Sequence, residues 1–384
     1  MYLAEVLQAA VRCQASDVIL KDGLPPVVRV HGTLRHLEGA APLTGEEMQN
    51  AASTVLFDER KRSRFDTEHQ ADLAFEMPGL GRFRINVYRQ RNKLGIVLRT
   101  IPNRLRDFDE LNLPPVVERL AAEKRGLILV TGPTGSGKTT TIAAMIDHMN
   151  RNLSRHVVTI EDPIEYVHKD QLSVVSQREV GIDTQDFPSA LRAALRQNPD
   201  VIMVGEMRDL ETIDTAIMAA ETGHLVLSTL HTVDAPETIT RVVAAFPEDR
   251  REQVRIVLAN VLRGVLSQRL IRNAARTGMV PAIEVLVGST RVREAIDKNR
   301  TRELHEVMIQ GGNTYGMQTF DQSLLDLLRD GKINHEEALL HCSNAADFEL
   351  QARGINAGAL GAIESRSEVN AADRVAAAGA NGRA

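Results

Sequence analysis

The sequence predicts an α/β protein organised around a parallel sheet, and three observations point to it. Four short apolar runs, LILVT, HVVTIE, DVIMVGE and HLVLSTLH, follow one another after Gly126 with amphipathic stretches between them. Runs nearly continuous in Val, Ile and Leu suit strands that are covered on both faces. The first run leads directly into GPTGSGKT, Gly132 to Thr139, and then into KTTTIAAMIDHM, which has helical spacing. Finally, 384 residues with 43% apolar and 25% charged side chains can bury the core of a two- or three-domain soluble protein.

The chain opens with Leu3, Val6, Leu7, Ala10 and Val11 at the spacing of an amphipathic helix. Short strand-like runs follow: SDVIL, VVRV and TLRHL, punctuated by Asp22-Gly23 and Pro25-Pro26. A helix is expected from about Thr44 to Phe65. Three more strands, DLAFEM, RFRINVYRQR and LGIVLRTI, surround the turn Pro78-Gly79-Leu80-Gly81. Residues 1–105 therefore read as an α+β domain on a largely antiparallel sheet, 106–115 as a linker, and 116–285 as the α/β core. Beyond Pro236 the signals are mostly helical, and 286–353 is expected to be a helical C-terminal region. The Ala/Gly-rich stretch 354–384 is expected to be a disordered tail.

Composition excludes several classes. No apolar run reaches the roughly 20 residues a membrane-spanning helix needs, and the N-terminus lacks the pattern of a signal peptide. Cys13 and Cys342 have no C-x-x-C partner, so a reducing cytoplasmic setting is expected, with no direct membrane insertion. A formal charge of −5 and 3% aromatic residues argue against a nucleic-acid motor, which needs a positive field and stacking platforms.

GPTGSGKT matches G-x-x-x-x-G-K-[ST] throughout, between a strand and a helix. The expected nucleotide contacts are Gly132, Pro133, Thr134, Gly135, Ser136, Gly137, Lys138, Thr139 and Thr140. The glycines let backbone N–H groups turn inward around an anion, and the helix adds its positive end. Lys138 would meet the outer phosphates of ATP, and Thr139 would hold Mg2+ through its hydroxyl. Hydrolysis further needs acids that hold the metal and orient water. HVVTIEDPIE delivers Glu161, Asp162 and Glu165 as its apolar run ends, and DVIMVGEMRD delivers Glu206 after Gly205. Such acids belong at the carboxyl ends of strands beside the loop strand. His231, at the carboxyl end of GHLVLSTLHT, is a candidate phosphate sensor. His224, at its beginning, reads as a structural residue or a subunit contact.

Taken together, GPTGSGKT, TIEDPIEYVH, GEMRDLET and AAETGHLVLSTLHT, in this order, resemble the secretion-ATPase superfamily and within it the PilT-type pilus retraction ATPases. ASDVILKDGLPPVVRVHG and GMQTFDQSLLDLL fit the same family, so the resemblance runs from about residue 3 to residue 350. It implies a RecA-like P-loop motor domain preceded by a PAS-like N-terminal domain, a homo-hexameric ring, and ATP hydrolysis with Mg2+. It also implies recruitment to the inner face of the cytoplasmic membrane through an inner-membrane pilus platform protein. Glu165 falls where the family's proposed general base lies, and Glu206 is the Walker B glutamate and a Mg2+ ligand. Thr222 to His231 is the "His box", which makes His224 a functional position. The family directs N-terminal arginines toward the phosphates, and here Arg82 and Arg84 share one strand face, with Arg99 following.

Two departures matter. The family's AIRNLIRE appears here as RVREAIDK, Arg291 to Lys298, which leaves an accessory retraction paralogue as one alternative and as a partner, beside an assembly or secretion ATPase of a related system. The segment LIRNAARTGMVPAIEV lacks the four cysteines usual in the assembly and secretion relatives. An ATP-binding scaffold with little turnover is the reading from another class, and the set Lys138, Glu165 and Glu206 argues against it. Arg250, Arg251, Arg255, Arg263 and Arg269 read as a helical surface for a subunit or partner.

Overall fold

The computed structural model describes residues 3–30, 32–101 and 104–354. The expected tail past Gly354 lies outside the described residues. The described parts of Met1–Arg106 and Met149–Gly205 form one compact unit, and those of Asp107–His148 and Glu206–Ala384 form a second.

In the first unit the opening helix, Leu3–Arg12, buries Leu3, Val6, Leu7 and Ala10, the stripe its spacing predicts. Six strands follow: β1 (Asp17–Lys21), β2 (Val27–Val30), β3 (Thr33–His36), β4 (Gln70–Met77), β5 (Gly81–Gln90) and β6 (Lys93–Ile101). They form an antiparallel sheet in the order β3-β2-β1-β6-β5-β4. Along β5, Phe83, Ile85 and Val87 are fully buried, so Arg82 and Arg84 share the opposite face, as strand alternation requires. The long helix expected over 44–65 is in fact two, Gly45–Val55 and Glu59–Glu68. Thr44 and Glu47 cap the first reciprocally. Met48, Ala51, Ala52 and Val55 form its buried stripe. Phe65 would fall off that stripe in an unbroken helix, and the break at Leu56–Asp58 lets it enter the core.

The remaining strands are β7 (Gly126–Thr131), β8 (His156–Glu161), β9 (Val174–Glu179), β10 (Val201–Val204), β11 (Leu225–Leu230), β12 (Leu262–Arg272) and β13 (Met279–Val287). In the first unit β8 pairs in parallel with β10 on one side and β9 on the other. The sequence reading missed β9, whose polar VVSQRE carries no apolar run.

In the second unit β7 is buried along its whole length and lies between β11 and β12, parallel to both. β13 pairs antiparallel with β12. These last two strands correct the expectation of mostly helical structure past Pro236. LRGVLSQRLIR and MVPAIEVLV are largely buried on both faces, so neither alternates with a period of two, and Arg263, Ser267, Gln268 and Arg269 in the one and Pro281 and Glu284 in the other interrupt the apolar run. Past them the described residues are mainly helical as far as Ala352, as expected. Phe320–Arg329, His335–His341 and Ala345–Ala352 pack Phe320, Leu324, Ala338 and Phe348 against Ile271, Val280 and Ala282. Thr319 and Gln322 form the capping box that starts the first of these helices.

Candidate nucleotide site

The loop Gly132–Gly137 joins β7 to the helix Lys138–Asn152. Gly132, Gly135 and Gly137 all have positive φ, at 139°, 81° and 91°. At Gly132 the restriction is also spatial: a Cβ would stand 2.3 Å from Gln268 O and 2.6 Å from Ser136 Oγ. Gln268 also donates from Nε2 to Thr141 Oγ1 at 2.8 Å, tying β12 to the first turn of the loop's helix. Lys138 is buried, and its ammonium donates to Gly132 O at 2.8 Å and Pro133 O at 3.0 Å. Ser136 Oγ is buried with no hydrogen-bond partner. A buried cation, an orphaned hydroxyl and the positive end of a 15-residue helix make this loop a receptor for an anion. Thr139 and Thr140 are partly exposed just inside the helix.

Glu206 belongs to the same unit. Met207 N donates to Thr229 O of β11 at 3.2 Å, which holds this segment beside that strand. The Glu206 carboxylate lies 2.6 Å from Arg208 Nε and 3.5 Å from His231 Nε2. His231 directly follows β11, whose Leu230 stands opposite Thr131 of β7. The structure thus brings Glu206 and His231 together at the loop end of the strands. Arg208 was missed, although its place two residues after Glu206 in GEMRD was legible.

His224 sits elsewhere. It precedes Leu225, which pairs with Gly126, the first residue of β7. Its ring Nδ1–H donates to Ala219 O at 2.9 Å, and its own carbonyl accepts from Gly126 N at 2.9 Å. A six-residue strand spans about 20 Å, so His224 and the phosphate loop stand at opposite ends of β7 and β11.

In the first unit, Glu161 ends β8 almost fully buried. It accepts from Thr159 Oγ1 at 2.7 Å and Gln177 Nε2 at 3.0 Å. Burial raises its pKa, opposed by those bonds and by one from the Glu165 backbone. Glu165 itself is half-buried. Gln177 and Glu179 lie on the unrecognised β9 and were missed with it. Glu179 accepts from Arg82 Nη2 at 2.5 Å and from Ile164 N at 3.2 Å. Arg84 stands opposite Arg99 in the β5–β6 register. Arg99 donates to Asp17 at 3.1 Å while its side chain stays largely exposed. The three predicted arginines therefore share one sheet face, with Arg82 engaged by Glu179 and Arg99 by Asp17.

Most of the arginines expected to form a contact surface have partners inside their own unit. Arg250 pairs with Asp214, Arg251 donates to Phe246 O, Arg263 donates to Arg125 O, and Arg269 lies 4.0 Å over the Phe320 ring.

Residues 70–329 match the family model described as "Type II/IV secretion system protein". This chain belongs to that secretion ATPase family. Within the family it is 44% identical to the PilT retraction ATPase of Pseudomonas aeruginosa, over 88% of this chain and 97% of that one. It is 40% identical to the PilU ATPase of the same organism, over 91% of each. Among solved structures it resembles the pilus retraction motor PilT with bound ADP, at a TM-score of 0.85 and 46% identity, covering 91% of this chain and 99% of that one. The Legionella pneumophila ATPase DotB follows at a TM-score of 0.73 and 28% identity, covering 88% and 94%. The secretion ATPase fold, a RecA-like motor with a helical C-terminal region, is thus the fold of this chain, and the protein is an ATPase.

Proposed function

We propose that this ATPase works as a hexameric motor that hydrolyses ATP with Mg2+ to power type IV pilus retraction. The observation that carries the reading is the loop itself: Lys138 buried across two loop carbonyls, beside an orphaned Ser136 hydroxyl. Likeness to retraction relatives over nearly the whole chain supports the choice of cargo. An ATP phosphate entering the cradle competes with Gly132 O and Pro133 O for the Lys138 ammonium, and backbone N–H groups satisfy its remaining oxygens.

Thr139 and Glu206 would hold Mg2+. Both are oxygen donors, and a hard cation that keeps few protein ligands suits this pair together with substrate phosphates. The ion would offset charge developing on the phosphates. Glu206 keeps its carboxylate toward His231 and Arg208, and His231 serves as the phosphate-linked sensor. Glu165 keeps the general-base role that the family resemblance gives it, and Glu161 orients it through the Glu165 backbone N–H. Arg82, Arg84 and Arg99 are proposed as phosphate-directed or subunit-facing charges, and His224 as a subunit contact. The domain plan of 1–105, 106–115, 116–285 and 286–353 belongs to the same proposal.

Among the described residues no helix is long and apolar enough to cross a membrane. Work at the cytoplasmic face of the inner membrane therefore rests on recruitment by a platform protein. A second reading, an accessory retraction ATPase, is favoured by one feature: RVREAIDK, Arg291 to Lys298, which runs through the helix Thr290–Asp297, stands where the family pattern is AIRNLIRE. Deleting the gene decides the direction of work. Loss of twitching with surplus surface pili supports retraction, and loss of pili refutes it.

A further inference from the structure

Behind the phosphate loop the second unit holds a buried polar lattice that nucleotide binding does not explain. Thr131, at the end of β7, donates to Ser267 Oγ on β12 at 2.9 Å. Thr238 Oγ1 lies 3.5 Å from Thr131 Oγ1, 2.6 Å from Thr232 Oγ1 and 2.6 Å from Asp234 O. Glu284 stands opposite Ser267 in the β12–β13 register, and its Oε1 accepts the Ala235 backbone N–H at 2.8 Å. Ala235 opens the helix Ala235–Ala244. The turn that leaves His231 is thus anchored from inside at both ends, Thr232 by Thr238 and Ala235 by Glu284.

A carboxylate in the apolar strand MVPAIEVLV is an expensive choice if its task is only to accept one N–H. A neutral amide would do that without the desolvation cost of a charge. Ionised, however, Glu284 also meets the positive end of the helix whose first N–H it accepts, beside the Asp234 cap, and a neutral acceptor engages that end far more weakly.

We propose that Glu284 is a positioning residue for the nucleotide site, its ionised carboxylate fixing the turn Thr232–Asp234 so that His231 stays against Glu206. This rests on reading Glu206 and His231 as part of that site. Burial raises the Glu284 pKa to about 7. The charged groups around it are Asp234 on the turn and Asp321 on the helix Phe320–Arg329, which raise it, and Arg269 on β12, which lowers it. As pH falls through neutrality the carboxylate gains a proton, its hold on Ala235 weakens, and His231 is less well placed for turnover.

The test is steady-state phosphate release by the full chain with Mg-ATP, from about pH 5.5 to about 8.5. Wild type, Glu284→Gln and Glu284→Ala are compared, with circular dichroism to monitor folding. Wild-type kcat is expected to climb through neutrality, whereas Glu284→Gln stays near the wild-type acid-limb value across that window. Glu284→Ala is expected to lower kcat about tenfold while the KM for ATP changes less than about twofold. In a His231→Ala background the Glu284→Gln effect is expected to vanish, which a purely structural role would not produce. A Glu284→Gln profile that follows wild type overturns this inference alone, and decides the matter even if Glu284→Ala fails to fold. Wild-type protein that releases no phosphate at any pH overturns the nucleotide-site reading, and this inference with it.

Discussion

The two ends of β11 make an instructive pair. Each carries a histidine of the same motif, His224 before Leu225 and His231 after Leu230. At the carboxyl end the ring meets Glu206 beside the phosphate loop. At the amino end the ring caps a helix through Ala219 O. The side chains are chemically identical and seven positions apart, yet the six-residue strand between them sends them to opposite ends of β7 and β11. Residues in one sequence motif therefore need not share one task, and substitutions at the two ends should fail in different ways.

Emptying the carboxyl end should have the largest effect. Lys138→Ala is expected to abolish phosphate release, a loss of about 10³-fold or more in kcat. Full activity in that variant would remove the loop from the chemistry. Glu206→Ala should still bind nucleotide, measured by calorimetry, while turnover drops about 10²-fold. His231→Ala should cost about tenfold at every protein concentration, through loss of its 3.5 Å contact with the Glu206 carboxylate. His224→Ala should instead leave kcat of the assembled protein within about twofold. Its effect should be to move the protein concentration at which turnover appears, read from activity against sedimentation velocity. Equal behaviour of the two histidine variants would break the comparison.

A separate effect concerns stability and has a definite sign. The carboxyl of Glu284 is raised from its ordinary 4.5 to about 7 in the folded chain. Ionising it therefore costs nothing in stability below about 4.5, and the cost is complete above about 7. Relative to Glu284→Gln, wild type should lose on the order of 3 kcal/mol across that window, measured by denaturant melts at each pH. A constant difference would mean that this carboxylate is not the titrating group.

Much was legible before any coordinates. The loop Gly132–Thr139, its strand and its helix were visible because phosphate binding demands fixed residues at fixed spacing. So was the alternation that puts Arg82 and Arg84 on one face. Glu284 left one faint trace, a lone acid within an apolar run. β9 was hidden because its side chains are polar, and β12 and β13 because polar residues and a proline interrupt their apolar runs while burial on both faces removes the period of two.

By itself the sequence determined the local events: where a backbone can curl around an anion, where helices begin, and which residue types stand ready for hydrolysis. Only the tertiary structure decided which of those residues meet. Arg82 found Glu179 across 97 positions of chain, and Glu284 found Ala235 across 49. Pairings of that range are set by strand register and sheet order. These arise from burying many apolar side chains at once, and no short window of residues encodes them.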